Sequence, residues 1–169
     1  IVEKKKHDDT SHNLIVIADP QISDADEFPS LLEHSKSMGE YIKGMDSDYT
    51  FGLCLGDIVG WDHALYPQYN EVMSHAGIEF RSVMGNHDMT NYGRSHETSM
   101  TDYENMFGPA WYSFNVGKVH YIVLNNNFFI GTDWYYIGYL DERQLKWLEN
   151  DLKHVEKGTQ VIVSMHIPT

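Results

Sequence analysis

The sequence predicts an α/β fold, and three observations carry that expectation. Four short apolar stretches, at residues 14–18, 51–55, 80–84 and 160–165, read as buried strands. Each is followed at once by a polar tip: Asp19-Pro20-Gln21, Gly56-Asp57, Gly85-Asn86-His87-Asp88 and His166. Between the strands, apolar residues recur at helical spacing, as expected of helices packed on parallel strands. The carboxyl ends of strands are where open α/β sheets place their chemistry. One such tip is an ordinary turn, since Asn and Asp are turn formers. Four tips ending in Asp, Asn, Gln or His form a metal-site pattern.

Taken in order, residues 1–13 carry a Lys run and little apolar periodicity, and are expected to be a solvated lead-in to a single domain over 14–169. After the first strand, Pro20 restricts the backbone so that Asp19 and Gln21 are held pointing the same way, which suits a chelating pair. Leu31, Leu32, Met38, Tyr41 and Ile42 predict a helix over 28–45, and residues 46–50 a turn. Gly56 ahead of Asp57 allows other groups to approach closely, as a carboxylate shared by two cations requires. A helix over 66–75 ends at Gly77, and a third strand over 78–84 leads into Gly85-Asn86-His87-Asp88.

Residues 91–101 read as a loop, with His96 a solvated loop histidine and Thr101 the cap of a short helix. The pattern then changes to period two, predicting a hairpin of 111–116 and 119–124 around Gly117-Lys118. His120 inside it is expected to be a hydrogen-bonded structural residue rather than a ligand. Residues 125–139 hold six aromatics, which suit either a substrate grip or a cover over a core edge. A helix over 140–157 is expected to be capped by Asp141, with Leu145, Trp147, Leu148, Leu152 and Val155 as its apolar stripe. The chain stops directly after the His166 tip without a helix to complete that unit, as expected of a piece of a longer protein.

Composition narrows the function classes. The net charge of −13 disfavours a basic nucleic-acid surface, and no apolar run reaches the length of a membrane span. An acidic protein that handles phosphate needs local positive charge, which bound cations supply. Cys54 is the single cysteine, so it forms no internal disulfide and is expected to be a small core residue. The chain starts at Ile1 rather than Met, so a start made by processing or cloning is expected, and any targeting signal would have gone with it.

Asp19-x-Gln21, Gly56-Asp57-Ile58-Val59-Gly60, Gly85-Asn86-His87-Asp88 and Met165-His166-Ile167-Pro168, in this order, resemble the motifs of the calcineurin-like metallophosphoesterase superfamily, which includes the purple acid phosphatases. The resemblance runs from Leu14 to the last residue. It implies a four-layer α/β/β/α sandwich, incomplete at the C-terminus, and two divalent ions, with Mn, Fe or Zn suiting the mixed oxygen and imidazole ligands. Carried over by position, Asp57 would bridge the ions, Asp19 and Gln21 would hold the first, and Asn86 and His166 the second. A bridging hydroxide would attack the phosphorus of a small phosphorylated substrate. His87 would protonate the leaving group or stabilise its charge, and Asp88 would orient the His87 imidazole. The family's first motif usually has His where Gln21 stands, although a subgroup carries Asp-Pro-Gln, and a weaker first site is expected. Its final Gly-His-x-His motif is absent from this chain.

A metal-dependent phosphoesterase is therefore the leading expectation. The alternatives are a non-catalytic binding or scaffold domain of the same fold, an inactive piece of the enzyme, and a metal-free nucleotide-binding domain, for which no Gly-rich phosphate loop is present. The wording of the motifs leans towards exported or periplasmic bacterial members without excluding a cytoplasmic location. Substrate identity and oligomeric state are left open.

Overall fold

The computed structural model describes residues 10–45, 49–131 and 136–168. The expectations for residues 1–9, for most of the 46–50 turn, for Trp134 and Tyr135 and for Thr169 lie outside the described residues. The strand β1 (His12–Ile17) starts two residues ahead of its expected position, and pairs in parallel with β2 (Tyr49–Cys54), which pairs in parallel with β3 (Phe80–Ser82). The helices α1 (Phe28–Lys43) and α2 (Tyr66–Ser74) connect them. Each opens with a proline in its first turn, where the missing N–H has no intrahelical partner to lose.

A second sheet has the order β4 (Tyr112–Val116), β5 (Val119–Val123) and β8 (Gln160–Ser164). β4 and β5 form the expected antiparallel hairpin, whereas β8 joins β5 in parallel. The His166 tip thus belongs to a different sheet from the other three. Between β5 and β8 lie the short hairpin β6 (Asn127–Phe129) and β7 (Tyr136–Gly138), then α4 (Glu142–Leu152). A short helix, α3 (Thr101–Phe107), precedes β4.

Alternation along β2 decides how these pieces stack. Phe51 and Leu53 face the second sheet, where Phe51 meets Phe114 and Tyr121 edge to face and Leu53 packs with Val123. Cys54 faces the other way, into a cluster with Phe28, Tyr66, Tyr69 and Met73 from the α1–α2 side. Burial pushes its thiol up to about 12, so it behaves as the small core residue expected. On the outer face of the second sheet, Asp151 of α4 takes hydrogen bonds from Ser113 and His120. The resulting order is helices, sheet, sheet, helix.

Several expectations are corrected in detail. Thr101 does not cap α3; Thr90 Oγ1 instead accepts from the Asp102 N–H at 2.9 Å. Asp141 does cap α4, accepting from Gln144 N–H at 2.7 Å. The α4 stripe is displaced: Gln144 is its buried residue, while Leu145 and Leu152 are exposed. Tyr41 of α1 is exposed too. His96 is buried rather than solvated, with Nδ1 accepting from Phe129 N–H and its ring 4.4 Å from Phe128; burial lowers its pKa. His120 is a structural residue, bonded to Asn115 and Asp151. Among the described residues no helix is long and apolar enough to cross a membrane.

Candidate metal centre

Beyond the ends of β1 and β2 the two chains stay side by side. Asp19 N–H donates to the Gly56 carbonyl, Gln21 N–H to Asp57 and Ile22 N–H to Ile58. This zipped ribbon is strained. Asp19, Gln21 and Asp57 are the non-glycine residues with positive φ among the described residues, at 50°, 47° and 50°. Such backbone is uncommon outside glycine and concentrates at functional sites. All three were expected as ligands from the sequence.

Two glycines let the Asp57 tip lie against the Gly85 tip. Gly56 has φ of 100°, and a methyl group there would stand 2.7 Å from Gly85 N and 2.8 Å from His166 Nδ1. A methyl group on Gly85 would run into the Asp57 backbone and carboxylate. With neither side chain present, Asp57 is nearly buried between the tips and accepts from His87 N–H at 2.8 Å through Oδ1.

His166 arrives from the second sheet. Its Nδ1 donates to the Leu55 carbonyl at 2.8 Å, which turns Nε2 and its lone pair inward. Nε2 then lies 3.1 Å from Asn86 Oδ1 and 3.4 Å from Asp57 Oδ1. Ligand atoms of Asp19, Asp57 and His166 all fall within 4.8 Å of one another. Carboxylate, amide and imidazole lone pairs facing one another are stabilised by a cation between them, so the donor set fits a divalent metal ion. Gln21 is arranged differently. Its Nε2 donates to Asp57 Oδ2 at 3.1 Å, so it supports Asp57, and ligation through Oε1 needs the amide turned over.

His87 stands at the edge of this group. Its Nδ1 donates to the Gly60 carbonyl at 2.6 Å, its ring packs against Trp61 at 4.2 Å, and Nε2 lies 3.9 Å from Asp57 Oδ2. The expected orienting role of Asp88 is corrected by this geometry, because the Gly60 carbonyl holds the imidazole. Asp88 points into the protein instead, fully buried, and accepts from Gly85 N–H at 2.8 Å, Ile58 N–H at 3.1 Å and Tyr66 Oη at 3.0 Å. It ties the β2 and β3 tips together. Burial pushes its carboxyl up to about 6 in spite of these donors, and burial beside Asp88 pushes the Tyr66 hydroxyl up as well.

Sequence reasoning passed over His63 and Trp61. His63 Nδ1 lies 2.9 Å from Asp102 and Nε2 3.1 Å from the His87 carbonyl, and the ring stacks on Tyr66. It braces the peptide that carries His87. The visible signal was its place in Trp61-Asp62-His63, directly after the Gly56-Asp57 motif.

The family model for calcineurin-like phosphoesterases matches residues 12–169. No curated protein matches the chain in sequence. Among solved structures, a purple acid phosphatase, PPD1, isolated from yellow lupin (Lupinus luteus) seeds, is similar with a TM-score of 0.58 and 17% sequence identity over 89% of this chain. The chain spans 29% of the length of that phosphatase, and the likeness is one of fold. With the family model covering nearly all of the sequence, the chain belongs to the calcineurin-like phosphoesterase family.

Proposed function

We propose that this chain carries the catalytic metal centre of a phosphoesterase acting on a small phosphorylated substrate. The observation that supports it best is the convergence of Asp19, Asp57 and His166, with Asn86, at strand tips from two sheets. In this reading Asp57 would serve both of two divalent-ion positions, Asp19 would belong to the first, and Asn86 and His166 would form the second. Divalent ions held there would supply Lewis acidity towards the phosphoryl oxygens and would lower the pKa of water to near neutrality.

The protein's own groups do the remaining work. His87, anchored at Nδ1 by Gly60, presents Nε2 as the proton donor to the leaving oxygen. Trp61 against its ring limits its rotation. His63 and the Asp57 carboxylate hold the backbone carbonyl and N–H of His87 in place. Asp88 keeps the two tips in register from below and takes no part in proton transfer. Gln21, donating to Asp57, orients that carboxylate.

The test is metal content per chain after purification with Mn and Zn supplied, together with hydrolysis of an aryl phosphate and its diester. Bound metal with turnover, both lost in Asp57→Asn, is the expected result. Full metal content and retained activity in Asp57→Asn would overturn the assignment. Metal binding without turnover of either ester would favour the scaffold reading.

A further inference from the structure

Asn86 and His166 sit on tips of two different sheets, so neither sheet's ladder sets the distance between them. Three consecutive buried asparagines, Asn125, Asn126 and Asn127, lie between those tips. Asn126 uses both ends of its amide on one residue: Nδ2 donates to the Ile167 carbonyl at 2.7 Å and Oδ1 accepts from Ile167 N–H at 3.0 Å. Ile167 adjoins His166. Asn127 Nδ2 donates to the Met84 carbonyl at 2.6 Å, two residues before Asn86. The stretch is itself held fast. Asn125 Oδ1 accepts from Asn127 N–H at 3.0 Å, and the Gln144 amide bonds both backbone groups of Asn125 at 2.8 Å each.

We propose that Asn126 and Asn127 are positioning residues that set the separation of Asn86 from His166, and with it the affinity of the metal position those two form. This rests on the metal centre read above. Ligand distances must be met to within a few tenths of an ångström, and partners behind the ligands typically change metal affinity by about 10–100-fold. Asn126 is the more exacting of the two. Ala at that position loses both bonds to Ile167, while Asp keeps the acceptor but sets a carboxylate oxygen against the Ile167 carbonyl.

The experiment is a Mn(II) titration of the wild type, Asn126→Ala, Asn126→Asp and Asn127→Ala, followed by electron paramagnetic resonance with spin-echo detection of directly bound nitrogen. Of Asp19, Asp57, Asn86 and His166, the residues assigned as ligands, only His166 offers a nitrogen lone pair. Circular dichroism reports folding, and His120→Gln, at the far end of β5, controls for general loosening.

The expected result is a nitrogen-coupled ion in the wild type and in His120→Gln. In folded Asn126→Ala and Asn127→Ala its affinity falls by about 10–100-fold, with a smaller fall in Asn126→Asp. Unchanged coupling and affinity in the folded asparagine variants would overturn the inference. So would an equal loss in His120→Gln, or failure of all three asparagine variants to fold, since both point to a purely structural role. A wild type without nitrogen coupling would instead overturn the metal-centre reading.

Discussion

Asp88 offers a contest between two physical effects whose winner can be read from one sign. Its buried carboxylate takes hydrogen bonds from Gly85, Ile58 and Tyr66, which favour the ionised form. Burial favours the neutral form and wins, lifting the carboxyl from 3.8 to about 6. Between those values the folded chain binds more protons than the unfolded chain, so stability falls as pH rises. The contribution is fully present below about 3.8 and is lost as pH passes through about 6. About two pKa units correspond to about 3 kcal/mol. Asp88→Asn cannot titrate there, so the stability of the wild type minus that of Asp88→Asn isolates the effect. Urea unfolding of chelator-treated protein, followed by tryptophan fluorescence at pH 4 and pH 7, measures it. The difference is expected to drop by about 2 kcal/mol from the lower to the higher pH, because part of the effect is already lost at pH 4. A difference that stays flat, or grows with pH, would show that the three donors outweigh burial and would refute the reasoning.

Tyr66→Phe removes one of those donors, so the pH-dependent loss should extend to higher pH, with a cost of about 1 kcal/mol at neutral pH; the same urea series reads both. Gly56→Ala forces a side chain into left-handed backbone against Gly85 and His166, and should cost about 2 kcal/mol or more and weaken metal binding, as checked by unfolding and metal titration. His87→Gln should slow hydrolysis by about 10²–10⁴-fold for alkyl phosphates and by less for nitrophenyl phosphate, whose leaving group needs no proton. Equal losses for both would argue against His87 as proton donor. Gln21→His should tighten the first metal position, because it replaces an amide turned towards Asp57 with an imidazole able to ligate; an unchanged Mn or Zn isotherm would count against that position.

Short apolar strands with polar tips were legible in the sequence because a buried strand and a sharp turn leave local compositional marks. The Gly56-Asp57 and Gly85-Asn86-His87-Asp88 tips were found by that route, and the motif order identified the family. Local pattern says little about what a side chain meets across the fold. Asp88 adjoins His87 in sequence, yet the turn sends the two side chains opposite ways, one to the surface and one into the core. His96 read as a solvated loop residue and His63 drew no reading at all, whereas packing gives both partners from distant segments. Asn125-Asn126-Asn127 gave no chemical signal along the chain, because their partners lie about forty residues away. The residue types and their order were thus determined by the sequence alone. The meeting of His166 with Asn86 was decided only by tertiary structure, since it depends on how two sheets stack, and that follows from side-chain packing between them.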